Sequence, residues 1–235
     1  MTETPTLLQA TAANHRAWFR RCALAQGGGI ERCDGLEIIF ARGHGTLAFP
    51  RTRRPEQIAE AMRRARALGL GTMACFSLTE DDALGAELVH HGFEWGWQPW
   101  WMAVDLARVP DDPLEHPVGP ASGERPYELP YTISDPSPSA VVRLAVHEGG
   151  QIVGHVAVNP WRRFAGIYDM GVVPDRRRRG IGRALTLAAC RLARDRGCTH
   201  ALLNATPEGE LLYSTVGFEM IGKGRTWWLH PCPPA

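Results

Sequence analysis

The apolar positions of the chain recur with two periods, and the switches between them outline most of its elements. Residues 10–26 carry a helical pattern with Trp18, Phe19, Cys22 and Leu24 inward, ended by Gly27-Gly28-Gly29. Strands are predicted over 36–41 and 45–49, joined across Arg42-Gly43-His44. A helix follows over 56–68: Pro55 opens it, Ile58, Met62, Ala65 and Leu68 line one face, and Gly69 caps it. Next come a strand over 72–78, a short helix over 81–90, Gly92-Phe93, and a tryptophan-rich strand over 95–106, whose Trp95, Trp97, Trp100 and Trp101 read as core.

Residues 109–138 are dense in Pro, Asp, Ser and Gly and read as a linker, of which 127–133 can open the second unit. Beyond it the pattern is cleaner. Strands over 141–147 and 152–159 flank a Glu148-Gly149-Gly150 turn, and a third covers 166–173. The helix over 180–196 places Ile181, Ala184, Leu185, Ala188 and Leu192 on one face, with Gly197 at its end. A strand over 199–204, a short helix over 208–215, Gly217-Phe218 and a last strand over 225–229 complete the chain.

The two halves repeat. Each runs hairpin, helix, strand, short helix, Gly-Phe-Glu, then a strand with a Trp-Trp pair: Gly92-Phe93-Glu94 before Trp100-Trp101, and Gly217-Phe218-Glu219 before Trp227-Trp228. From the helix-capping glycine to the Gly-Phe is 23 residues in one half (Gly69 to Gly92) and 20 in the other (Gly197 to Gly217).

The chemistry concentrates in one copy. An apolar strand ends at Pro174, then Arg176-Arg177-Arg178-Arg179-Gly180-Ile181-Gly182 leads into a helix. Two glycines let a backbone turn approach a ligand closely. The helix start supplies unpaired N–H groups and the positive end of its dipole. A strand, a glycine turn and a helix N-terminus make an anion site suited to phosphate or pyrophosphate. Neither the P-loop nor the dinucleotide pattern is present: no Gly-Lys-Ser/Thr follows, and G-x-G-x-x-G fails at Leu185.

Arg177-Arg178-Arg179-Gly180-Ile181-Gly182, with Val172-Val173-Pro174 before it, resembles the Arg/Gln-x-x-Gly-x-Gly/Ala signature of the GNAT N-acetyltransferase superfamily. Leu212-Tyr213-Ser214-Thr215-Val216-Gly217-Phe218 resembles that family's Leu-Tyr-x-x-x-Gly-Phe. The resemblance covers 141–229. It implies an α/β (α+β) fold of two tandem GNAT-like units, each a mixed, mostly antiparallel sheet flanked by helices. The expected division is a degenerate unit over 1–110, a linker over 111–138 and an acetyl-CoA-binding unit over 139–235.

What the resemblance implies for the site is specific. Backbone N–H groups of Arg178, Arg179, Gly180, Ile181, Gly182, Arg183 and Ala184 would hold the pyrophosphate of acetyl-CoA, the acyl donor. The guanidinium groups of Arg177, Arg178 and Arg179 would add charge-assisted contacts, at least two of them facing solvent. Exposed backbone near Val172 and Val173 would pair with the pantetheine and face the thioester. Tyr213 would protonate the departing thiolate. Many relatives carry Asn seven residues before that tyrosine; here Thr206 stands there, and Asn204, just ahead, is the candidate to reach the cofactor. Asp169, the acid of the 166–173 strand, is the first candidate for the amine's base, sharing a face with Gly171 and Val173 by period two; Glu208 and Glu94 come second. In the N-terminal copy, Arg51-Thr52-Arg53-Arg54-Pro55 replaces the glycine turn, and Pro55 removes a donor.

Composition narrows this little further. Lys+Arg 26 against Asp+Glu 25 gives no global pull toward nucleic acid. No long apolar run or charged-then-apolar leader is present, so neither a membrane span nor a signal peptide is expected. The six cysteines have no C-x-x-C or zinc-ligand spacing, and free thiols in the cytoplasm are expected, with no metal. The expected partner is a small-molecule primary amine. A homodimer is compatible with the sequence, which does not set the oligomeric state. A non-catalytic acyl-CoA sensor is the alternative, and the acyl length is open.

Overall fold

The computed structural model describes residues 5–51, 54–122 and 140–230. Residues 1–4, the 123–138 part of the expected linker (with its 127–133 stretch), Arg53 and Cys232 lie outside the described residues. In chain order the elements are α1 Leu7–Ala25, β1 Gly29–Cys33, β2 Leu36–Ala41, β3 His44–Ala48, α2 Pro55–Ala67, β4 Thr72–Ser77, α3 Asp82–His90, β5 Glu94–Trp95 and β6 Trp100–Asp105. Then come β7 Gly119–Pro120, β8 Val142–Glu148, β9 Gln151–Trp161, β10 Phe164–Val172, α4 Ile181–Asp195, β11 His200–Ala205, α5 Pro207–Ser214, β12 Glu219–Lys223 and β13 Arg225–Leu229.

Two compact units result, and each draws on both halves of the sequence. A six-stranded unit holds residues 15–99 and 222–230, and a seven-stranded unit holds 5–14, 100–122 and 140–221. The six-stranded sheet has the order β1-β2-β3-β4-β13-β5, and the seven-stranded sheet β12-β6-β11-β10-β9-β8-β7. The two sheets share a pattern: each is mostly antiparallel and holds a parallel pair, β3 with β4 and β10 with β11. The cut between units corrects the expected one. The Trp-Trp strand of each half lies in the other unit's sheet, with Trp101 opposite Asn204 and Trp227 opposite Cys75. Apolar patterning sees which face of a strand is buried, and a strand so marked fits either of two like sheets.

Other differences have local causes. The single strand expected over 95–106 is split, because Pro99 carries no N–H for a ladder and Gly96 N–H instead meets the Thr226 carbonyl at 2.9 Å. Trp95 is accordingly 65% exposed, while Trp101 is fully buried. Leu24, expected inward, is exposed near the end of α1. β1 went unread because Gly29-Ile30-Glu31-Arg32-Cys33 has a single long apolar side chain, and β12 because Gly222 and Lys223 dilute it. Part of the expected linker is structure: β7 pairs with β8. Among the described residues no helix is long and apolar enough to cross a membrane.

In the six-stranded unit, α2 packs its buried face, Ile58, Ala61, Met62 and Ala65, onto Leu36, Ile38 and Leu47. His15 lies in an aromatic cluster with Phe19, Phe49 and Phe76, at ring distances of 4.9–5.7 Å. Burial pushes its pKa down from 6.5 to about 3. The unfolded chain then binds a proton that the folded chain refuses. The stability His15 contributes is intact above pH 6.5 and drains away as pH falls toward 3, at roughly 1.4 kcal/mol per pH unit. Denaturant titrations at pH 7 and pH 5 are expected to give a smaller acid loss for His15→Leu than for the wild type. Equal losses would show that His15 is not the group responsible.

Candidate active site

In the seven-stranded unit the site begins where two parallel strands part. β10 and β11 pair only at Phe164 with His200, Ala165 with Ala201 and Gly166 with Leu202. β10 then runs on to Val172 and β11 to Ala205 without pairing with one another. On its other side β10 stays bonded to β9 as far as Val172 opposite Gly154. A wedge therefore opens along the edge of β10, and unpaired strand edges offer backbone donors and acceptors to whatever enters. Val173 N–H donates to the Val153 carbonyl at 2.9 Å, so Val172 turns its groups to the wedge edge, where Arg177 Nε donates to its carbonyl at 3.1 Å.

The corresponding pair in the six-stranded unit is closed. β3 and β4 pair at every position from His44 with Thr72 to Ala48 with Phe76, and Phe49 N–H continues the ladder to the Phe76 carbonyl at 2.8 Å. α2 starts at Pro55 behind Arg54, which makes no side-chain cap. One copy has a wedge and a glycine turn, and the other has neither.

The turn after β10 is shaped by two left-handed residues, Arg178 at φ 61° and Gly180 at φ 83°. Gly180 is also the cap residue of α4, with no side chain bonded there, so the first N–H groups of the helix stay open for an anion. Ile181 is buried in the core and Ala184 N–H already closes the first helical bond to Gly180, at 3.0 Å. A Cβ on Gly182 would stand 2.9 Å from Leu212 Cδ2, so glycine there lets α4 and α5 meet. Two of the arginines serve structure: Arg176 pairs with Glu148 at 2.7 Å and Arg183 with Asp112 at 2.6 Å. Arg177, Arg178 and Arg179 are exposed and make no ion pair among the described residues; Arg177 is bonded to the Val172 carbonyl, which leaves Arg178 and Arg179 as the freer cations to meet a ligand.

Tyr213 comes from α5. Thr206, in the place of the family's asparagine, caps that helix by accepting Gly209 N–H at 3.1 Å on Oγ1. The Tyr213 ring is buried in the same core as Ile181 and Leu185 and lies 5.9 Å from the Phe218 ring. Burial pushes its pKa up to about 12. The phenol is therefore protonated at neutral pH, the state from which a general acid starts, and is a weaker acid than an ordinary tyrosine. Asn204 sits on β11 opposite Trp101, partly exposed.

Asp169 departs from expectation. A β-bulge falls between Tyr168 and Gly171, where β10 spends one residue more than β9, and Asp169 adopts φ 52°. The extra residue breaks the period of two that would have put Asp169 on the face of Gly171 and Val173. Its side chain is 2% exposed and accepts from Arg143 Nη1 at 2.8 Å. The structure places it as half of a buried ion pair, not as an open carboxylate at the wedge. Glu208 is exposed in the first turn of α5, and Glu94 belongs to the six-stranded unit.

Residues 111–116, read as linker, were missed. Asp111 pairs with Arg194 at 2.5 Å, and His116 Nε2–H donates to the Arg179 carbonyl at 2.6 Å. Glu115 lies against Gly180, its Oε2 only 2.1 Å from where a Cβ would be. The signal was available: two adjacent aspartates and a glutamate complement the arginines of α4.

Comparison with known proteins fits this geometry. The sequence model described as Acetyltransferase (GNAT) family matches residues 100–218, about half of the chain. The chain belongs to this family. Its chemistry is acyl transfer. The match runs from β6 to Phe218, and so begins with the strand that the seven-stranded sheet takes from the first half of the sequence. Among solved structures, a GCN5-related N-acetyltransferase from Kribbella flavida is similar at TM-score 0.70 with 16% identity, over 99% of this chain and 98% of that one. A GCN5-related N-acetyltransferase from Sphaerobacter thermophilus gives TM-score 0.54 and 15% identity over 99% and 96%. A tandem GNAT protein from the clavulanic acid biosynthesis pathway gives 0.54 and 14%, over 96% of both chains. These likenesses show the GNAT fold. No curated protein matches the chain.

Proposed function

We propose that the protein is an acetyl-CoA-dependent N-acetyltransferase acting on the primary amine of a small molecule, with its donor site in the seven-stranded unit. The observation that carries this reading is the wedge between β10 and β11, which ends at a glycine turn on a helix start and has a closed counterpart in the other unit. In this reading the N–H groups of Ile181, Gly182 and Arg183 and the side chains of Arg178 and Arg179 take the pyrophosphate. The edge of β10 up to Val172 receives the pantetheine. The amine nitrogen bonds to the acetyl carbon as the carbon–sulfur bond breaks, the Tyr213 proton goes to the leaving thiolate, and the proton shed by the nitrogen as it becomes an amide returns through solvent to the tyrosinate. Asp169 and Arg143 hold the bulge that shapes β10. The near balance of charge supports a small acceptor over a nucleic acid. The buried free thiols among the described residues support a reducing compartment, the cytoplasm.

The test is amine-dependent release of thiol from acetyl-CoA across a panel of small primary amines. Release with at least one amine is expected. Acetyl-CoA binding without release for any of them would favour the sensor.

Glu115 gives a second check. Its carboxylate beside Gly180 opposes an incoming pyrophosphate, and an exposed charge of this kind is worth roughly 0.5–1 kcal/mol. Glu115→Ala is expected to tighten acetyl-CoA binding a few-fold in calorimetry, with the gain shrinking as salt is raised. Unchanged or weaker binding would show that Glu115 lies off the donor's path.

A further inference from the structure

The six-stranded unit has a cleft of its own, about 520 Å³, whose lining includes Arg16, Arg20, Arg32, Glu37, Phe49 and Arg51. Arg16 is built into its wall. Its Nε donates to the Ala48 carbonyl at 2.9 Å and its Nη2 to the Phe49 carbonyl at 2.8 Å. Phe49 is held at φ 57°, a left-handed conformation that a bulky residue adopts only when its surroundings compel it. Arg20 donates twice to Glu37 Oε2, at 3.0 and 2.5 Å, and Arg32 approaches Glu37 Oε1 at 3.6 Å. Glu37 thus serves two arginines at once. Arg51 makes no ion pair among the described residues. With Asp34 included, the lining carries four arginines against two carboxylates. Arg16 is lowered in pKa by burial and by the nearby charges of Arg51 and Arg20. Guanidinium groups crowded in this way repel one another until an anion comes between them.

We propose that this cleft is a second ligand site, taking a small molecule that carries a compact dianion, either a phosphate monoester or a pair of carboxylates, between Arg16, Arg20 and Arg51. Its volume suits a ligand of metabolite size. Recognition here is by side chains, because β3 and β4 are zipped together and α2 opens on Pro55; the backbone cradle of the seven-stranded unit has no equivalent. Planar, forked guanidinium groups suit carboxylate and phosphate oxygens alike. The inference is independent of what the seven-stranded unit binds.

The experiment titrates the full chain with inorganic phosphate and, separately, with succinate, by calorimetry and melting temperature. One saturable site per chain is expected for at least one of them. Tighter binding of phosphate would assign the phosphate arm, and tighter binding of succinate the carboxylate arm. Arg51→Glu, which disturbs no ion pair among the described residues, is expected to weaken that binding at least tenfold while acetyl-CoA binding stays unchanged. Arg16→Gln is expected to weaken it too, but Arg16 also holds two carbonyls, so Arg51→Glu is the deciding variant. Absence of saturable binding by both anions, binding indifferent to Arg51→Glu, or one-for-one displacement of the anion by acetyl-CoA would overturn the proposal.

Discussion

Tyr213→Phe is expected to lower turnover roughly 100-fold at saturating acetyl-CoA and amine, while the KM for acetyl-CoA stays near the wild-type value. The substitution keeps the ring that packs in the core beside Phe218 and deletes one oxygen, so the fold and the donor turn are left alone. The loss falls on kcat because the proton is needed only as the thiolate departs. The pH dependence carries a second signature. With its pKa near 12, the hydroxyl stays protonated through the usual assay range, so any limb in the wild-type profile below about pH 10 belongs to another group. Tyr213→Phe should therefore lower the profile without reshaping it. Unchanged turnover would leave Tyr213 as a packed tyrosine.

Gly182→Trp is expected to abolish acetyl-CoA binding, a loss of more than about 100-fold, for two reasons that act together. An indole at the second position of α4 covers the N–H groups that an anion must approach. Its Cβ would already meet Leu212 Cδ2 at 2.9 Å, and the ring beyond it would press further on α5, one residue before Tyr213. Gly182→Ala separates these effects, since it brings only the 2.9 Å contact to the end of a flexible leucine and leaves the turn open. The alanine variant should keep a near-normal melting temperature and weaken the donor only modestly. Both variants binding acetyl-CoA like the wild type would place the pyrophosphate elsewhere.

The sequence showed the parts of this site better than their assembly. The glycine turn, the helix behind it and the tyrosine helix are set by local chemistry: left-handed glycine, a proline-ended strand and a Thr206 cap. Such features are written within a few residues of one another and could be read there. The repeat was legible for the same reason, through its capping glycines and its Gly-Phe pairs. The destination of β6 and β13 was not, because two sheets of like strand pattern present the same face to either strand. Asp169 was misread through the bulge, whose extra residue leaves no mark in a pattern of alternation. Arg143 and Glu115 reach the site across 26 and 65 residues of sequence, from a strand and a proline-rich segment whose local composition says nothing of their targets. The cleft around Arg16 escaped for a similar reason: its arginines come from α1, β1 and the segment after β3.

The claim beneath these expectations is that one unit of the pair receives acetyl-CoA and the other does not. Calorimetric titration of acetyl-CoA into the full chain measures this directly as a stoichiometry. One site per chain, lost in Gly182→Trp, is the result the open wedge and the closed ladder predict. Two sites would mean that β3 and β4 part to admit a donor after all, and no binding would remove the donor from the seven-stranded unit as well.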